Sequence, residues 1–302
     1  MQIWRLPVIK ISPDTIFHIG GFPVTNTLLA TWISIVVLIA LFFFGTRRRD
    51  LIPSGLQNFL EWAVELLIGL VEGISGKEKG RRFFPLVATF FLFIVTCNLL
   101  DVLPGVDTVG AIDTQAVAAA HGGQAVFGFL LIGNISNAII PWLRPATTDL
   151  NLTLAMAIVS VVVTQAFGFF YLGPGEHLSK YLNFKALFTN FPMGIIDFIV
   201  GLLEIVSELG RIVSFGFRLF GNIFAGSTVL AVFAFLVPFV TGLIFIPFEL
   251  FVAFIQGLVF ALLTLVFMEI ATSGHGHADT ESEHEADKEY EQHKKQEIAA
   301  TH

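Results

Sequence analysis

Residues 191–236 read FPMGIIDFIVGLLEIVSELGRIVSFGFRLFGNIFAGSTVLAVFAFL, forty-six residues without a proline after Pro192. Wholly helical, this run would be about 70 Å long, more than twice the roughly 30 Å of a bilayer's hydrocarbon core. One upright helix does not account for it. The helix is either steeply tilted or broken at one of Gly210, Gly216, Gly221 and Gly226. Inside this apolar context sit Glu204, Glu208, Arg211, Arg218 and Asn222, each expensive in hydrocarbon unless paired or hydrated. At about 100° per residue the five fall within roughly 80° of arc, one continuous polar stripe. Ser207, Gly210, Ser214, Gly221 and Ala225 form a second stripe beside it, made only of small residues. Small residues let helices approach closely. That stripe serves either a static contact within the chain or a surface past which a partner moves.

Beyond Pro238 a last apolar run, Leu243 to Ile270, carries Glu249 and Gln256. Seven residues apart, they share a face, and their natural partners lie on the preceding helix. The plain readings are an interhelical hydrogen bond for Gln256 and a silent buried carboxyl for Glu249; the functional reading gives the Glu a place in a polar path. Arg218 also has two readings. It is either a structural cation paired with Glu204 or Glu208 across helical turns, or a fixed charge that attracts a passing carboxylate. An arginine does not deprotonate at any ordinary pH, so it gates protons without relaying them.

The rest of the chain agrees with a lipid setting. Of 302 residues, 55% are hydrophobic and 14% charged, with 33 Phe and a mean hydropathy of +0.78. Soluble domains carry about 25% charged residues. The formal net charge is −7, but Gly274 to His302 holds eight acids against three lysines, so the tail accounts for −5 and the apolar part is nearly neutral. Leu28 to Gly45 is the first span, ending at Arg47, Arg48 and Arg49; Phe83 to Leu100 is the second, beginning after Lys77, Lys79, Arg81 and Arg82. The positive-inside rule puts 46–82 in the cytoplasm and both the N-terminal segment 1–23 and the acids Asp101, Asp107 and Asp113 outside. Between the basic ends, Leu56, Phe59, Leu60, Ala63, Leu66, Leu67 and Leu70 recur at helical spacing while Glu61, Glu65 and Glu72 fall elsewhere, an amphipathic surface helix.

Ala125 to Leu143 is apolar but holds Gly128, Gly133, Asn134, Asn137 and Pro141, which favours a re-entrant or interfacial helix over a crossing. Leu150 to Leu172 is a third span, closed by Leu-Gly-Pro-Gly at 172–175 and a polar loop with Glu176, Lys180 and Lys185. The expected fold is an all-α polytopic membrane protein of about five spans, with a long tilted helix hairpin at its C-terminal end. The expected divisions are an extracytoplasmic segment 1–23, a membrane domain 24–273 with an external insertion at about 106–141, and a disordered cytoplasmic tail 274–302. That tail holds His275, His277, His284, His293 and His302, read as solvated residues rather than metal ligands. The single cysteine, Cys97, excludes an intrachain disulfide.

Three strings carry a resemblance. Arg218-Leu-Phe-Gly-Asn222-Ile-Phe-Ala-Gly226 with Gln256 following on the last run, Asn98-Leu-Leu-Asp101-Val-Leu-Pro104, and Asp149-Leu-Asn151-Leu-Thr-Leu together resemble the a-subunit family of rotary F-type ATP synthases, over residues 24–272. The resemblance implies that Arg218 faces the carboxylate of a c-subunit ring, and that Asn222 and Gln256 line the same contact. It implies that Glu204 and Glu249 belong to aqueous half-channels, with Glu208 and Ser207 along the path and Asp101 near the outer mouth. Ser214, Gly221 and Ala225 would then be ring-facing. Ile212 stands where many relatives have proline, Ser227 where some have an ionisable residue, and 106–141 is longer than in compact relatives. Ser227 shifts the titrating role onto Glu249.

The implied partners are the c-ring, b-type peripheral stalk subunits, the F1 sector indirectly and the lipid bilayer, with no nucleic acid, cofactor or metal, in a bacterial plasma membrane. The chain would not be catalytic alone. Two other classes stay open: a self-contained secondary transporter, which would be marked by an inverted repeat that the sequence lacks, and a non-transporting scaffold, which leaves an aligned stripe of ionisable residues unexplained.

Overall fold

The computed structural model describes residues 11–47, 54–103, 106, 109–112, 124–126, 130–132, 139–173, 175, 193–237 and 241–273. The tail 274–302, its histidines, the loop acid and lysines at 176–185, and Arg48, Arg49, Asp107 and Asp113 lie outside the described residues. An N-terminal hairpin comes first: β1 (Thr15–Ile19) pairs antiparallel with β2 (Phe22–Thr25), turning at Gly20 and Gly21, whose φ values of 57° and 90° fall where glycine alone is unstrained.

Helix α1 (Asn26–Thr46) is capped by Thr25, whose side chain accepts from the Leu28 amide at 3.3 Å. Helix α2 (Leu56–Asp101) is two helices in one run, because Gly76 has φ 70° and ψ 171° and breaks the ladder. The segment before Gly76 is the amphipathic helix that the sequence predicts. It buries Leu60, Leu67 and Val71 and leaves Phe59, Trp62, Leu66 and Leu70 exposed on an adjoining face. At the corner Gly80 comes so close to the backbone of Glu72 that a Cβ there would lie 3.2 Å from the Glu72 Cα, and Arg81 pairs with Glu72 at 3.1 Å.

Between α2 and the next long helix, β3 (Gly110–Ile112) pairs with β6 (Ile139–Pro141), and β4 (Gln124–Val126) pairs with β5 (Leu130–Ile132), both antiparallel. This corrects the expected re-entrant or interfacial helix over 125–143. The glycines and Pro141 interrupt the run too often to propagate helix past its costly nucleus, and short strand pairs satisfy the backbone instead.

Helices α3 (Leu150–Leu172), α4 (Met193–Leu236) and α5 (Ile246–Thr272) follow, with a π-helical turn, Thr241–Phe245, leading into α5. Asn26–Thr46, Leu56–Asp101, Leu150–Leu172 and Leu243–Thr272 are each long and apolar enough to cross a membrane. Helix α4 has 44 residues and none of Gly210, Gly216, Gly221 and Gly226 breaks it, which resolves the sequence alternatives in favour of tilt. An unbroken helix of about 66 Å fits a layer of about 30 Å only when inclined, and exposed apolar side chains run along it from Ile196 to Leu236.

The described chain divides into two compact units, one within Met1–Val161 and Glu208–Leu265 and the other within Val162–Ser207 and Val266–His302. In the first, the core is aromatic and tightly apposed. Phe90 and Phe215 both lie edge-on or tilted against Phe260, at 5.3 and 5.2 Å between centroids, and a Cβ on Gly257 would come within 2.7 Å of Val95 Cγ2. At one end of this unit buried polar groups bind each other. Thr27 donates to Asp149 Oδ2 at 2.9 Å, Asp149 Oδ1 accepts from the Asn151 amide at 2.9 Å, and Thr147 donates to Asn98 Oδ1 at 2.9 Å.

Asp149 thus caps α3 and ties it to α1 at once. Asp149→Ala is expected to cost about 1–2 kcal/mol, and Asp149→Asn less because an amide oxygen still caps; thermal unfolding of the detergent-solubilised protein followed by circular dichroism checks the order.

Candidate functional site

Helices α4 and α5 form an antiparallel hairpin whose contacts step in register. Phe215 meets Phe260 at 5.2 Å, Asn222 donates its amide to Gln256 Oε1 at 2.9 Å, Gly226 faces Glu249, and Phe233 lies against Phe245 at 4.5 Å. Aromatic pairs therefore close both ends of a short polar interval. Glu249 and Gln256 are 8% and 5% exposed, so both polar heads are buried inside the hairpin. Gln256 spends its oxygen on Asn222, and its Nε2 has no hydrogen-bond partner among the described residues. Beside Glu249 opens a cavity of about 230 Å³ lined by Asn222, Gly226, Val229, Phe245, Phe248 and Val252, apolar except for the amide and the carboxylate.

Arg218 stands apart from this interior. It is exposed, donates to Ser214 Oγ at 3.4 Å and lies 5.9 Å from the Phe215 ring centroid. The pairing with Glu204 or Glu208 that sequence left open does not form. Glu208 instead binds Arg211 at 2.7 Å, both side chains about 15% exposed or less. The reason is spacing: Arg211 lies three residues from Glu208, one helical turn away, whereas Arg218 lies ten away. Among the described residues no carboxylate lies within 4.0 Å of Arg218. A permanent cation on an apolar helix is thus left facing outward.

The small-residue stripe shares that outward face. Ser207, Gly210, Ser214 and Ala225 are exposed and Gly221 half-exposed. A Cβ added at Gly210 or Gly221 would meet nothing within 4 Å, while one at Gly216 would lie 2.6 Å from Leu154 Cδ2 and one at Gly226 2.8 Å from Glu249 Oε1. The static internal contact weighed for this stripe is therefore made by other glycines. Gly216 and Gly226 serve packing within the chain; Gly210 and Gly221 serve none that the described residues supply.

Of the remaining predicted residues, Glu204 is half-buried on the part of α4 that belongs to the second unit, with Ser207 exposed on the same part. Asp101 is the last residue of α2 and is half-buried. Ser227 donates its hydroxyl back to the Phe224 carbonyl at 3.1 Å. Sequence reasoning missed the buried hydroxyl pair Ser160 and Thr264, 2.8 Å apart between α3 and α5, and the closeness of Gly226 to Glu249. Hydroxyls inside apolar runs were a signal for the first. The second needed a helix register that no local pattern encodes.

The family described as ATP synthase A chain matches residues 28–122 and 123–269. Among curated relatives, the chain is 32% identical over 267 residues to the ATP synthase subunit a of Moorella thermoacetica, covering 88% of this chain and 99% of that one. It is 30% identical over 276 residues to that of Gloeobacter violaceus, covering 89% and 93%, and 31% identical over 244 residues to that of Trichlorobacter lovleyi, covering 81% and 86%.

The two classes of glycine separate in a stability measurement. Gly216→Leu is expected to lower the unfolding free energy by about 1–3 kcal/mol through overpacking against Leu154, and Gly210→Leu to leave it unchanged or slightly raised, as read from melting temperatures in one detergent.

Proposed function

The chain belongs to the ATP synthase A chain family, and from that membership we propose that it is the stator subunit of an F-type ATP synthase, guiding protons past a c-subunit ring through two half-channels. The observation that carries this reading is the outward face of α4, where Arg218 has no carboxylate among the described residues and is flanked by small residues with nothing packed on them. A charge that expensive in hydrocarbon calls for a counter-charge from outside the chain. A ring carrying carboxylates supplies one, and small neighbours let a ring helix pass closely.

A proton enters from outside near Asp101, reaches Glu249 by way of polar groups, and neutralises a ring carboxylate, which then tolerates lipid. After nearly a full turn the carboxyl meets the second half-channel, served by Glu204, Ser207 and Glu208, and gives up its proton to the cytoplasm. The resulting carboxylate is drawn to Arg218, which stays charged and blocks a direct leak between the two paths. Asn222, Ser214, Gly221 and Ala225 form the ring-facing wall, with Gln256 buried behind Asn222 and hydrogen-bonded to it. Each proton contributes about 2.3 kcal/mol per 100 mV of potential, so several per turn supply the tens of kcal/mol that nucleotide synthesis in the partner F1 sector needs. The b-type stalk holds this subunit against the torque. The orientation is N-terminus outside and C-terminus in the cytoplasm of a bacterial plasma membrane, with residues 24–273 as the membrane domain, 1–23 outside, and 274–302 a solvated tail. A self-contained transporter or a scaffold leaves the uncompensated Arg218 unexplained.

Arg218→Ala in the assembled complex should abolish proton-driven ATP synthesis in membrane vesicles, and Arg218→Lys should recover little, because a compact ammonium lacks the fork that meets a carboxylate in two places. Coupled synthesis at the native rate in Arg218→Ala would sink the assignment. Glu249→Gln should slow proton flux at least tenfold, about 1.4 kcal/mol of barrier or more, measured by quenching of a pH-sensitive dye in the same vesicles.

A further inference from the structure

We propose that Gly226 is a positioning residue for Glu249: the bare α-carbon on α4 holds open the space into which the Glu249 carboxylate extends from α5. The inference rests on the reading of Glu249 as a proton-path group and goes beyond it by naming what sets the place of its carboxylate. A Cβ on Gly226 would lie 2.8 Å from Glu249 Oε1 and 3.7 Å from its Cδ, and no other atom comes within 4 Å. The intrusion is thus on the charged end of the side chain alone. The same stretch of α4 walls the cavity of about 230 Å³ that Glu249 shares with Asn222, Val229, Phe245, Phe248 and Val252. With a methyl group at 226 the carboxylate has somewhere else to go, namely into that cavity and away from α4.

Helix stability argues in the same direction. Glycine inside a helix costs about 0.5–1 kcal/mol relative to alanine, and α4 is unbroken and far from its ends at this position. Nothing in the backbone requires glycine here, since Gly226 is not among the residues of positive φ. The space is what the missing side chain provides. Gly226→Ala should therefore fold and assemble as well as the native chain while displacing the carboxylate, and displacements of about 1 Å in a reacting group cost up to a hundredfold. Shortening the acid by one methylene in Glu249→Asp withdraws the carboxylate from α4 and removes the overlap.

The test uses the whole ATP synthase in membrane vesicles. Complex content is measured by immunoblot, and ATP-driven proton pumping and proton-driven ATP synthesis are measured for Gly226→Ala, Glu249→Asp, the double variant and Glu249→Gln. The expected result is normal assembly of Gly226→Ala with rates down about tenfold or more, and a double variant clearly faster than Gly226→Ala alone. Native rates in Gly226→Ala overturn the inference. So does a double variant no faster than Gly226→Ala, or an assembly defect in Gly226→Ala that Glu249→Asp does not relieve, because either result marks a purely structural glycine. Glu249→Gln separates the two levels: native rates there remove Glu249 from the proton path and the inference with it, whereas a slow Glu249→Gln beside a native-rate Gly226→Ala removes only the role of Gly226.

Discussion

The hydrogen bond from Asn222 to Gln256 is the constraint around which the α4–α5 hairpin is arranged. A polar amide buried among apolar helices finds its partner inside the protein or forfeits a desolvation cost of about 1–3 kcal/mol. Meeting that demand fixes one rotational setting and one register between two helices that are otherwise apolar and free to slide. The aromatic contacts Phe215 with Phe260 and Phe233 with Phe245 then close the interval on both sides. Glu249 is carried by the same register to the one point on α4 where a glycine leaves room for it.

That register also divides α4 into two functional faces. The inner face holds Leu219 and Ile223 buried and presents Gly216 and Gly226 to close neighbours. The outer face carries Arg218, Ser214 and Ala225 into the open. Glu208 and Arg211 neutralise each other a little further along the helix, which leaves Arg218 as the charge on offer to a partner. Because guanidinium stays protonated, the offer does not change with the protonation of anything around it.

Rigidity elsewhere supports the hairpin. Asp149 caps α3 and holds α1 through Thr27, while the hydroxyls of Ser160 and Thr264 join α3 to α5. These are short polar bonds in an apolar surrounding, where few alternative partners exist, so each selects a single arrangement. Gly76 does the opposite work near the middle of α2, breaking a helix so that its first half runs as a separate amphipathic segment.

Much of this was legible in the sequence, because hydropathy and the 3.6-residue period act locally. The apolar runs, the amphipathic segment, the polar stripe on α4 and the alignment of Glu249 with Gln256 all follow from residues a few turns apart on one helix. Family membership was legible for a related reason: the strings around Arg218, Asp101 and Asp149 lie in unbroken stretches. Local pattern failed at 125–143, where an apolar run interrupted by glycine contributes to two strand pairs: Gln124–Val126 with the nearby Leu130–Ile132, and Ile139–Pro141 with Gly110–Ile112, a partner distant in the chain. Only tertiary structure decided that Arg218 has no carboxylate partner among the described residues while Arg211 takes Glu208, that α4 runs unbroken through Gly210, Gly216, Gly221 and Gly226, and which of those glycines are packed and which are open. A helical wheel shows what shares a face. What meets that face depends on how a second helix is placed against it, and close packing settles that only when all the side chains are present together.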